Sequence, residues 1–186
     1  NLHLITVSRT LAIEIEEDYG VTLTAAQHSV IHNVIDTELF RYEPKSVFQR
    51  TKILSIRPFA SRTYANDLAV AAILELSNRP WFGDLDFHLI GDGALFEETV
   101  APLRGLPNVV LERRFVRQDE IAALHRTYGV FLCPTRMDSQ GVSRDEAMAS
   151  GLVPITSRVS GVPEFVDDTC GFLAAPEDAL GLAAAI

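Results

Sequence analysis

The chain has 186 residues, 47% hydrophobic and 22% charged with both signs interspersed, the composition of a globular protein long enough to bury a full core. A formal net charge of −9 argues against a non-specific nucleic-acid or anionic-membrane surface, so a phosphate-bearing ligand would have to be held by local arginines and helix ends. No apolar run approaches the roughly 20 residues needed to span a bilayer.

Residues 2–7 predict a short strand, after which Ser8 caps an amphipathic helix that closes at Gly20. A second short apolar run, Ser29-Val-Ile-His32, leads into Asn33-Val-Ile-Asp36, and from there to about Arg50 the sequence is polar and reads as a connector. Beyond Thr51 the pattern is strongly periodic. Strands are expected at 52–56, 86–90, 108–111, 129–133, 152–156 and 171–173, with a helix over 66–77 and a further one between the second and third strands. A helix capped by Asp119, another over 143–150 closed by Gly151, and a helical turn over 162–167 follow. Strands alternating with helices at this spacing predict an α/β fold, a doubly wound parallel sheet with helices on both faces. Ligands are then expected at the carboxyl ends of the strands, in the loops after Ile56, Ile90, Cys133 and Ile155. The chain starts at Asn1 and stops at Ala183-Ala-Ala-Ile186 inside a helical pattern, so both ends are expected to be cut points.

Several segments have the residue types for binding. Arg57 and Arg62 flank a turn beyond the first core strand, and two guanidiniums converging there would make a fork for phosphate oxygens; a solvated basic loop is the bland alternative. Ser143-x-x-Glu146 matches a capping box, which would open a helix at the ligand edge of the sheet, where free amides and the helix dipole favour an anion. Asp138, eight residues before Glu146, could join it in accepting hydrogen bonds from sugar or ribose hydroxyls, or both could serve only local turns and caps. Gly91-Asp-Gly93 lacks the third glycine of a dinucleotide fingerprint and fits either a close backbone approach to a ligand or a plain turn. Cys133 and Cys170 read as reduced, buried thiols, and the five histidines show no metal spacing. No G-x-S-x-G elbow, P-loop or zinc motif is present.

Taken in order, these segments resemble the group-1 family of retaining glycosyltransferases. Val30-Ile-His-Asn-Val-Ile-Asp36 is similar to the family's V-I-P-N-G-V-D crossover, and Ile53 through Arg62 to its strand and R-x4-K loop. Gly91-Asp-Gly93 is similar to its G-D-G-P turn. Asp138-x7-Glu146 with Ala-Met-Ala-Ser-Gly151 resembles E-x7-E and E-A-M-A-x-G, and Gly161-Val-Pro-Glu164 and Gly171-Phe-Leu resemble its closing segments. The resemblance runs from about residue 28 to the end.

It implies a GT-B architecture of two Rossmann-like domains. Residues 1–27 would be the tail of an N-terminal domain, 28–50 the interdomain crossover, and 51–186 the C-terminal, nucleotide-sugar-binding domain. Carried over by position, Arg57 and Arg62 would clamp a donor diphosphate, Asp138 the transferred sugar and Glu146 the ribose. Gly91, Gly93, Phe115, Val116, Gly141, Val142 and Ser143 would border the donor. Arg62 replaces the family's lysine, Asp138 its first glutamate, and Gln140 an aromatic or apolar residue, which leaves the sugar open.

The implied reaction moves a sugar from a nucleotide-diphosphate sugar to an acceptor hydroxyl, with retention, no cofactor and no metal. The acceptor (a glycan, a lipid or another hydroxyl compound) would meet the N-terminal domain. No nucleic-acid partner is expected, and any peripheral membrane association would come through parts outside this chain. The expected setting is cytoplasmic, with polysaccharide synthesis as the family's frequent task. A sugar-nucleotide epimerase of the same architecture and a non-catalytic domain remain as alternatives. A phosphorylase-like reaction is disfavoured, because Lys45 and Lys52, the only lysines, both lie near the connector.

Overall fold

The computed structural model describes residues 2–186. The leading segment forms β1 (Leu4–Thr6), α1 (Arg9–Tyr19) and β2 (His28–Val30), with β1 and β2 paired in parallel as a two-stranded sheet. Ser8 caps α1 by accepting from the Leu11 amide at 3.2 Å, and Gly20, at φ +61°, ends it in the left-handed conformation that glycine adopts without a Cβ penalty. Both helix signals lie where the sequence places them.

The remainder builds β3 (Lys52–Ile56), α2 (Asn66–Leu76), β4 (Asp86–Gly91), α3 (Phe96–Val100), β5 (Val109–Arg113), α4 (Gln118–His125) and β6 (Val130–Leu132). It continues with α5 (Val142–Ala149), β7 (Val153–Ser157), β8 (Phe172–Ala174) and α6 (Ala179–Ala185). Its six strands are all parallel in the order β5-β4-β3-β6-β7-β8. Period-two alternation sorts their side chains. Ile53, Phe87 and Ile155 face a core shared with α2 and α6, whereas Leu54, Ile90 and Phe131 face one shared with α4 and α5. Helices therefore cover both faces, as expected of a doubly wound sheet. The strand order reverses between β3 and β6, and a crevice lined by both of the loops leaving those strands lies there.

The polar connector is not loose. Phe40 is buried against His125, and Lys45 Nζ donates to the His125 carbonyl at 2.7 Å. Burial, with Lys45 as a lesser cause, pulls the His125 ring down to about 4, so it packs as a neutral imidazole. His32 Nδ1 bonds the Val7 carbonyl at 2.7 Å and its ring meets Phe165 edge-on.

Two local expectations are corrected. The helix expected to begin at Asp119 is capped at Arg117, and Asp119 sits in its first turn, ion-paired to Arg117. Only Cys133 is a buried thiol, pushed up to about 11 by burial; Cys170 is exposed on the turn after Asp167. Among the described residues no helix is long and apolar enough to cross a membrane.

Candidate functional site

Leaving β3, the chain places Arg57 under the lip of the crevice. Its backbone N–H donates to Ile90 O at 3.1 Å, and Phe59 N–H donates to Asp92 O at 2.8 Å, so the loop from 57 to 60 lies directly on the turn that follows β4. This close approach explains the two glycines of that turn. A Cβ on Gly91 would overlap the Arg57 carbonyl oxygen, and one on Gly93 (φ +147°) would overlap the Phe59 backbone. The backbone that Gly91 and Gly93 admit is thus the protein's own.

The Arg57 side chain is only 6% exposed. Nη1 donates to Ser143 Oγ at 3.0 Å, the guanidinium lies 5.2 Å from the Tyr64 ring centroid, and buried Nε has no partner. No carboxylate pairs with it among the described residues. A buried cation without a counter-ion is costly, and an anion entering the crevice would supply one. Arg57, Ser61, Thr63, Tyr64, Met137, Asp138 and Ser139 line a cavity of about 410 Å³ at this point.

The opposite wall is the loop from β6 into α5. The expected capping box is absent: Gly141, at φ +89°, is the cap residue, and no side chain bonds the helix start. Ser143 falls two positions past the cap and instead meets Arg57, which frees the α5 amides. Those of Gly141, Val142 and Ser143 have no acceptor among the described residues, and the start of a helix favours an anion. Arg144 is buried and packs on Gly141, held by Asp145 and by the Gln140 carbonyl. Asp138 Oδ1 accepts from the Gln140 amide at 3.2 Å, and the residue is part of the cavity's lining.

Glu146 lies outside the lining of that cavity, three residues past Ser143 and so on the same face of α5. It is 8% exposed, and its carboxylate accepts no hydrogen bond among the described residues. Burial, and secondarily Asp145, holds its carboxyl above the usual carboxylate range.

Gln140 is not a wall of the cavity. It is buried, and its amide clasps Asn33, accepting from N–H at 2.6 Å and donating to C=O at 3.1 Å, with a second donor to Asp145 at 3.0 Å. Beside it, Glu164 accepts from the Arg9 and Thr10 amides at 3.0 and 2.6 Å, capping α1 from across the chain. The loop that carries Asp138 is therefore tied to the leading segment.

Arg62 does not converge with Arg57. It is exposed, 3.8 Å from Glu98, and lines a neighbouring, more apolar groove of about 300 Å³. Phe115 is 83% exposed beyond the end of β5, and Val116 is buried in the core under α4 and α5. Tyr64, Met137 and Ser139 enter the site without having been foreseen. Neither Met137 nor Ser139 belongs to a residue type that spacing singles out. Tyr64, an aromatic seven residues past Arg57 on a polar turn, was the readable signal.

A family model described as "Glycosyl transferases group 1" matches residues 50–186. Among curated relatives, an MMP alpha-(1->4)-mannosyltransferase of Mycolicibacterium hassiacum is 27% identical over 180 residues, 94% of this chain and 42% of that protein. The chain spans 18% to 42% of the length of the curated relatives it matches. Among solved structures, the C-terminal domain of a glycosyl transferase group 1 family protein from Francisella tularensis superposes with TM-score 0.65. The identity is 22%, over 81% of this chain and 85% of that one. The catalytic domain of starch synthase IV from Arabidopsis thaliana, bound to ADP and acarbose, superposes with TM-score 0.70 at 17% identity, over 98% of this chain and 47% of that one.

Proposed function

The chain belongs to the group 1 glycosyl transferases, and on that premise we propose that it is the donor-binding half of an enzyme that moves a sugar from a nucleotide-diphosphate sugar to an acceptor hydroxyl, with retention and without metal. One observation carries the reading: the buried, counter-ion-free guanidinium of Arg57, facing a cavity beside the open amides of α5. In the reaction the bond from the anomeric carbon to the donor phosphate oxygen breaks as the acceptor oxygen bonds to that carbon. Charge grows on the departing phosphate, and the acceptor's hydroxyl proton passes to that phosphate. Arg57, the Ser143 hydroxyl and the α5 amides are fixed donors for that charge, and Arg62, on an exposed side chain, swings in to join them. Asp138 accepts from hydroxyls of the sugar and Glu146 from those of the ribose. Phe115 lies against the base. The ADP held by the starch synthase, a structure of the same fold, supports a nucleotide here.

The leading segment supports a second domain. Two parallel strands of three residues each do not stand alone in water, and Leu2, Ile5, Ile31 and Val34 around them are exposed. We read β1, α1 and β2 as the end of an N-terminal domain that brings the acceptor.

The test is to incubate the intact protein with nucleotide sugars and an acceptor, with and without chelator, and to follow nucleoside diphosphate release and the anomeric NMR signal of the product. Release that persists in chelator, with the donor's anomeric configuration kept, supports the proposal. A requirement for added magnesium or manganese sinks the metal-free mechanism, and interconversion of sugar nucleotides without acceptor makes the protein an epimerase.

A further inference from the structure

Arg136, four residues beyond β6, uses every N–H of its guanidinium. Nε and Nη2 donate to the two oxygens of Glu177 at 2.7 and 2.8 Å, and Nη1 and Nη2 donate to the two oxygens of Asp67 at 2.8 Å each. The remaining Nη1 proton goes to the Arg62 carbonyl at 2.7 Å. Arginine has five such donors, so none is left for a ligand. The Arg136 amide donates to the Thr63 carbonyl at 2.9 Å, and the single proton of the Thr135 hydroxyl is shared between that carbonyl at 3.1 Å and the Met137 carbonyl at 3.0 Å. Two consecutive carbonyls of the turn 61–65 are thus gripped from the β6 side, and the turn closes at Ala65 in the left-handed region, φ +47°.

That turn carries Tyr64, which lies against the Arg57 guanidinium, and Arg62. Arg62 also borders the same groove as Asp67, the first acidic residue of α2. With both Asp67 oxygens engaged by Arg136, Arg62 is left only its loose, solvent-exposed contact with Glu98, which is weak enough to be exchanged for an anion. We propose that Arg136 is a positioning residue for the donor diphosphate: it sets the turn that presents Tyr64 and Arg62, and it occupies Asp67 so that Arg62 stays free. This rests on the reading of the crevice as a nucleotide-diphosphate site. Lysine cannot replace the arginine, because a single nitrogen does not span two carboxylates and a carbonyl.

The experiment is calorimetric titration of the protein and its Arg136→Lys variant with UDP, GDP, ADP and TDP, each beside its phosphate-free nucleoside, with circular dichroism as the check on folding. The variant should lose about tenfold or more in affinity for the nucleoside diphosphate that the protein binds, ~1.4 kcal/mol, while nucleoside affinity stays within about twofold. Adding Asp67→Asn should restore part of the loss by removing the carboxylate set free. Equal loss for nucleoside and diphosphate marks a merely structural role and overturns the proposal, as does no loss at all. Either result leaves the donor reading standing, because the unaltered protein still binds. A folded protein that binds no nucleoside diphosphate overturns the donor reading and this proposal together. If Arg136→Lys does not fold, Thr135→Val decides: a loss of about threefold confined to the diphosphate supports the proposal, and unchanged diphosphate binding refutes it.

Discussion

Replacing Glu146 by glutamine separates what the candidate site does for the ligand from what it costs the fold. The side chain is 8% exposed, accepts no hydrogen bond, and has Asp145 beside it. Its oxygens keep some contact with solvent, so the cost is that of partly desolvating a charge and falls toward the low end of the about 1–3 kcal/mol of a fully buried unsatisfied group. Glutamine keeps the shape and removes the charge, so we expect a gain near the low end, about 1 kcal/mol at pH 7, or roughly 2–4 °C in Tm for a domain of this size. The pH dependence gives the sign. Burial raises the folded-state pKa above the unfolded one, so the wild type is favoured below the ordinary carboxylate pKa and loses that stability as pH rises through the raised value. The advantage of Glu146→Gln should therefore be full above the raised pKa and vanish at about pH 4 and below. Denaturant midpoints at several pH values measure it, and calorimetry on the same samples should show nucleotide affinity falling about tenfold, since a charged acceptor is lost. A variant less stable than wild type at pH 7 would refute the reasoning, because it would mean that the carboxylate has a partner in the folded protein.

Gly91→Ala places a Cβ against the Arg57 carbonyl, so unfolding experiments should show a loss of about 2 kcal/mol or more, with weaker nucleotide binding; an unchanged midpoint would contradict the close packing. Gln140→Met removes the clasp on Asn33 and should raise hydrogen exchange at the Asn33 amide by about tenfold or more, leaving the core amides of β3 and β4 unchanged. Glu164→Ala takes two acceptors from the start of α1 and should cost about 1–2 kcal/mol in local opening, read by exchange in that helix.

The sheet was legible because its strands carry near-continuous apolar runs bounded by glycine and polar turns, and α1 because Ser8 and Gly20 are residue types that helix ends demand. What escaped depends on contacts between segments far apart in sequence. Ser143 looks like a cap until Gly141 starts the helix two residues earlier and Arg57 takes the hydroxyl. The freedom of Gly91 and Gly93 was readable, but not which backbone they admit. Arg57 and Arg62 share a loop, yet the tight turn between them sends one under the lip and the other to Glu98. Arg136 was indistinguishable from any exposed arginine, since its carboxylate partners, Asp67 and Glu177, lie on α2 and just before α6. Gln140 read as a change in the sugar pocket because its partner is backbone, which carries no residue-type signal.

The most direct test of the central claim is titration of the intact protein with UDP, GDP, ADP and TDP beside an Arg57→Ala variant. Removing a buried cation without a counter-ion should leave the fold intact, so binding isolates the ligand's share. The account predicts saturable binding of one nucleoside diphosphate that Arg57→Ala weakens by about tenfold or more. Binding that Arg57→Ala leaves undiminished, or none by the folded intact protein, would contradict it.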